Sequence, residues 1–125
     1  MISGMIGSVS GKVNISGENL TIDSDAIFAS TSANNIAIGL NALNSTDADA
    51  DNNIAIGVSA LTALTGGDEN VAIGSESMNN LTGGGANTCI GHTAGRNIAG
   101  GDNNVCVGRQ AGYALTAASN TVLVG

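Results

Sequence analysis

From residue 34 to the last residue, apolar and polar positions follow a pattern much longer than the period of a helix or a strand. A short apolar tripeptide closed by glycine recurs six times, as Ile36-Ala37-Ile38-Gly39, Ile54-Ala55-Ile56-Gly57, Val71-Ala72-Ile73-Gly74, Thr88-Cys89-Ile90-Gly91, Val105-Cys106-Val107-Gly108 and Val122-Leu123-Val124-Gly125. The closing glycines are 18 residues apart once and 17 apart four times. A fixed period of this length marks stacked coils in which each repeat covers its neighbours. Inside the tripeptide, β-branched residues flank Ala or Cys in nearly every copy, a period of two that predicts a short strand.

Four residues before each closing glycine stand Asn35, Asn53, Asn70, Asn87, Asn104 and finally Thr121. Asparagine tolerates turn conformations and pairs with its own copy in a stacked neighbour, so an Asn ladder at the strand entrance is expected. Past the glycine, Ala42, Ala60, Ser77, Ala94 and Ala111 stand at the third position, and Leu43, Leu61, Met78, Gly95 and Gly112 at the fourth. Leu64, Leu81, Ile98 and Leu115 stand at the seventh. These positions predict a second short strand or extended segment facing the first across a narrow core. A polar turn such as Thr65-Gly66-Gly67-Asp68 or Ala99-Gly100-Gly101-Asp102 then closes the repeat.

A triangular helix of hexapeptides has a similar coil length and would suit an acyltransferase, but it requires apolar residues at steps of six. From Ile56 those steps land on Thr62 and Asp68, and from Ile90 on Arg96 and Asp102, so that register fails. A flattened parallel β-roll, or β-solenoid, of about six 17-residue coils fits better. With strands stacked ~4.8 Å apart, it would form a rod on the order of 25–30 Å long. The repeated β-branched residues Ile36, Ile38, Ile54, Ile56, Val71, Ile73, Ile90, Val105, Val107, Val122 and Val124 are expected to form its structural core.

Residues 1–33 do not follow the period. There Val13 and Ile15, then Leu20 and Ile22, alternate with polar residues around Ser16-Gly17-Glu18-Asn19, a pattern that predicts a small β-hairpin. Asp23 to Ser32 reads as a linker. The chain therefore divides into an N-terminal attachment segment, 1–33, and a repeat region, 34–125. The last strand ends in phase with the others and without a polar cap, so another polypeptide or more chain is expected to cover it.

Composition sharpens this picture. The 125 residues include only Phe28 and Tyr113 as aromatics and no Trp or Pro, too little for an ordinary single-chain core. Burial within one coil falls short of the entropy lost in ordering its backbone, so coils must stack and several copies of the chain are expected to pack together. The net charge is −7, with Lys12, Arg96 and Arg109 the only fixed cations, which disfavours nucleic acid and anionic membranes as partners. No stretch reads as a signal peptide or a membrane span, so synthesis in a cytoplasm and no membrane insertion are expected.

Chemistry-bearing residues are sparse. Asp47-Ala48-Asp49-Ala50-Asp51-Asn52 matches the opening of a calcium loop, but Asn52 stands where glycine is needed and Val58 where a bidentate glutamate is needed. A solvated acidic loop is the better reading, and no metal or other cofactor is expected. Asp68 and Asp102 read as turn residues. His92 is the only histidine, at a variable position shared with Leu40, Val58, Ser75 and Arg109. Cys89 and Cys106 occupy the strand position that is Ala37, Ala55, Ala72 and Leu123 in the other copies, and read as buried free thiols. No acid, base and nucleophile fall together, so no catalytic residue is assigned and the chain reads as a non-enzyme.

The repeat Asn-Asn-Ile-Ala-Ile-Gly-x-x-Ala-Leu followed by Leu-Thr-Gly-Gly-Asp-x-Asn resembles repeats of bacteriophage tail fibres and is similar to the head repeats of trimeric autotransporter adhesins. The resemblance covers residues 34–125. It implies an intertwined homotrimer of parallel β-rolls whose apolar faces together supply a core. It also implies a virion protein that docks on other tail proteins through residues 1–33, or through its C-terminal end, and projects toward a host-cell receptor. A fragment of a bacterial adhesin head is the alternative. That class carries a secretion signal and a membrane barrel, which this sequence does not show.

Overall fold

A computed structural model of the chain describes residues 34–44 and 49–125. The hairpin and attachment segment expected within residues 1–33 lie outside the described residues, as does the Asp47 end of the acidic loop. The fold is a parallel β-solenoid. Its strands are β1 (Ile36–Ile38), β2 (Ile54–Ile56), β3 (Val71–Ile73), β4 (Thr88–Ile90), β5 (Val105–Val107) and β6 (Val122–Val124). They pair in chain order in one six-stranded parallel sheet. Each connection winds once around the core, giving five turns between six strands. The register aligns equivalent repeat positions, so Ile38, Ile56, Ile73, Ile90, Val107 and Val124 form one column.

Each coil makes its corner at the closing glycine, where φ lies between 126° and 137°. Successive glycines also touch: a Cβ on Gly57 would sit 2.6 Å from the backbone of Gly74. Both the conformation and the approach require glycine there.

The wall opposite the strands corrects the expected two-strand coil. Among the described residues each coil carries one three-residue strand, and the far wall is built from turns. The second and fourth residues after the glycine are left-handed in every coil, as in Ser59 (φ 57°) and Leu61 (φ 50°) or Glu76 (φ 57°) and Met78 (φ 45°). Alternating left-handed residues interrupt a pleated strand. They still present backbone groups to the next coil: Leu61 N donates to Ser77 O at 3.1 Å, Met78 N to Ala94 O at 3.0 Å and Gly95 N to Ala111 O at 2.9 Å.

The core is correspondingly thin. Ala55, Ala72, Cys89 and Cys106 line it from the strands, and Leu43, Leu61, Met78, Leu64, Leu81 and Ile98 from the opposite wall. A second correction follows for the single chain, because the β-branched residues expected in the core lie on the other face of the sheet. Ile36, Ile38, Ile90, Val122 and Val124 are exposed, and Ile54, Ile56, Val71, Ile73, Val105 and Val107 are only half-buried. Strand alternation defines two faces without saying which is inside. Here the gap to the turn wall admits Ala or Cys, and the branched side chains point outward.

Candidate functional site

The outer strand face and its two flanks form the most distinctive surface among the described residues. Behind its entrance stand Asn35, Asn53, Asn70, Asn87 and Asn104, all buried. The Oδ1 of each accepts a hydrogen bond from the backbone N–H of its counterpart one coil on: Asn53 N at 2.7 Å, Asn70 N at 2.9 Å, Asn87 N at 3.1 Å and Asn104 N at 3.0 Å. From Asn70 onward the next Nδ2 donates to the same oxygen, at 2.9–3.1 Å. Each Nδ2 also crosses the coil to a turn carbonyl, as from Asn70 to Gly84 O at 2.9 Å and from Asn87 to Gly101 O at 2.7 Å. The ladder continues to Thr121, whose N–H donates to Asn104 Oδ1 at 3.1 Å. Among the described residues no buried side-chain polar atom lacks a partner. A satisfied polar ladder of this kind pins axial register, because a slipped coil would orphan its amides.

The coils enter their strands past a flank of carboxylates. Asp68 Oδ1 accepts from Asp51 N at 2.9 Å, Asp102 Oδ1 from Gly85 N at 2.8 Å, and Ser119 Oγ from Asp102 N at 3.0 Å. These residues tie one coil to the next, consistent with their reading as turn residues. Where Gly85 replaces the acid, an open notch of ≈ 490 Å³ remains between Asp68 and Asp102, with Glu69 at its rim. No group of three metal-ligating side chains occurs among the described residues.

The coils leave their strands past Leu40, Val58, Ser75, His92 and Arg109. His92 and Arg109 are exposed. The Arg96 guanidinium meets Glu76 Oε2 at 2.7 Å, and this hydrogen bond raises the already high pKa of Arg96.

Cys89 and Cys106 are free, buried and in register on β4 and β5. Burial pushes the Cys89 thiol well above the ordinary range, reinforced by neighbouring Cys106; burial likewise raises Cys106. Neither is poised as a nucleophile. Across the core, Gly95 and Gly112 replace the Leu or Met of earlier coils, and a Cβ on Gly95 would stand 2.5 Å from Cys89 Sγ. Ala faces a large residue in three coils and Cys faces Gly in two, so the filling volume has moved from one wall to the other. The repeat columns contain this exchange, but it emerges only when the strand position and the fourth position after glycine are read together.

Comparison with known protein families, characterised proteins and solved structures finds no match.

Proposed function

We propose that this chain is a structural subunit of a bacteriophage tail fibre or fibre base. In this reading it works as a homotrimer, docks on the virion through residues 1–33 and projects the solenoid toward the host surface. Its role is mechanical and adhesive rather than catalytic. The observation that carries the reading is the outward column of β-branched residues along all six strands, with Ile38 47% and Val124 78% exposed on the isolated chain. A continuous apolar stripe on a soluble rod calls for a covering partner, and three copies sharing an axis provide one. The resemblance of the Asn-Asn-Ile-Ala-Ile-Gly repeat to tail-fibre repeats supplies the biological setting.

The test has two readouts. Light scattering on the purified full chain is expected to give three times the chain mass, and antibody labelling is expected to decorate the tails of phage particles. A monomer across the micromolar range would overturn the trimer. Labelling of a bacterial surface in place of virions would turn the assignment toward an adhesin head.

A further inference from the structure

Cys89 and Cys106 are free and fully buried, and they pair residue for residue on β4 and β5. Neighbouring strands stand ~4.8 Å apart, inside the roughly 4.4–6.8 Å between Cα atoms that a disulfide spans. Both side chains leave the inner face of the sheet, so they are direct neighbours along the rod. The thiols already act on each other: after burial, Cys106 is what pushes the Cys89 pKa up. The opposite wall gives both sulfurs room, because a Cβ at Gly95 would collide with Cys89 Sγ and one at Gly112 with Cys106 Sγ. Earlier coils fill the same space with Ala37, Ala55 or Ala72 across from Leu43, Leu61 or Met78. Packing volume therefore does not call for cysteine, still less for cysteine in two successive coils. No third metal-ligating side chain joins the pair among the described residues.

We propose that Cys89 and Cys106 form an oxidation site, at which a peroxide converts the pair into a disulfide that bolts the coil of β4 to the coil of β5. One sulfur, as thiolate, attacks a peroxide oxygen and becomes a sulfenic acid, and the first water leaves. The other sulfur then displaces the sulfenic hydroxyl, the S–S bond forms and a second water leaves. Two thiols thus give up two electrons and two protons to one hydrogen peroxide. Closing the bond brings the two Cβ atoms together by up to about 1 Å. Burial sets the rate, since the thiolate is the reacting form and local opening of the coils must expose it. Register sets the product, because the neighbouring thiol is the nucleophile closest to a sulfenic acid on either strand. The bolt lies inside one chain and is independent of how copies associate.

Hydrogen peroxide on the purified, reduced full chain tests this. It is added at a urea concentration below the unfolding midpoint, where coils open transiently while the fold persists, and remaining thiols are then blocked with maleimide in denaturant. Trypsin cuts after Arg96, between the two cysteines, so the bond is read directly: peptides 13–96 and 97–109 are expected to stay joined until a reductant is added. The oxidised chain is expected to unfold at a urea midpoint higher by roughly 0.5–1 M, because the bond closes a 17-residue loop. In Cys89→Ala and in Cys106→Ala the same treatment should give neither joined peptides nor a raised midpoint. Disulfide-linked dimers of the wild-type chain, or sulfinic acid at either cysteine without joined peptides, would overturn the proposal. So would thiols still open to maleimide after many opening times, measured by hydrogen exchange of the β4 and β5 amides. Joined peptides with no rise in midpoint would show that the bond is no bolt.

Discussion

At the residue scale, the thinness of the core makes individual atoms decisive. Gly95→Leu places a side chain where Cys89 Sγ already sits, so overpacking of ~1–3 kcal/mol is expected. Leu61 and Met78 adopt the same left-handed conformation at the equivalent position, which makes the sulfur rather than the backbone the obstacle. Cys89→Ala combined with Gly95→Leu recreates the pairing of the earlier coils and is expected to recover much of the loss in a double-mutant cycle read by urea unfolding. The thiol also predicts a pH dependence. Its pKa is raised in the folded chain, so stability is fully present below the ordinary value of 9.0 and falls as pH rises above it. The slope from one thiol approaches about 1.4 kcal/mol per pH unit, and it should be reduced in Cys89→Ala. In the Asn ladder, Asn70→Ala removes the donor to Gly84 O and the acceptor for Asn87, leaving buried groups unpaired. A loss of ~2–4 kcal/mol by chemical denaturation is expected, and Asn70→Asp, which cannot donate to Gly84 O, should not restore it.

At the element scale, the two faces of one three-residue strand differ: the inner face fills the core, and the outer face is the one proposed to meet other copies. On β3, Ala72→Ile adds volume to the filled inner face and is expected to destabilise the chain by ~1–3 kcal/mol whatever its association state. Next door, Ile73→Asp alters the outer face. It should leave a folded solenoid by circular dichroism while shifting the sedimentation profile toward smaller species. Equal effects from the two substitutions on unfolding and on association would contradict this division. Strand positions were legible from alternation and the closing glycine, because a parallel stack aligns what the repeat makes equivalent. The opposite wall was not legible as turns: its Leu and Met residues have the hydrophobicity of a strand face, and nothing in their identity announces left-handed φ. The direction of the Ile and Val column was hidden for a related reason, since alternation carries no sign and only the distance between walls decides which side fits inside.

At the scale of the whole molecule, the rod is held together by contacts from one coil to the next, so stability should grow with the number of intact coils. Doubling salt concentration is expected to weaken the exposed Arg96–Glu76 pair while leaving the Asn ladder unaffected, because exposed charges are screened and buried amides are not. Chemical unfolding at low and high salt, compared between the wild-type chain and Glu76→Gln, separates the two. The sequence alone determined the parallel stack, its period and the column of asparagines, because these are properties of spacing, and spacing survives any arrangement of the walls. Only the tertiary structure decided which face of the strand is inside and that the far wall is a run of turns. Those outcomes depend on how far apart the walls stand and where the corners turn, and a linear pattern encodes neither distance nor corner angle.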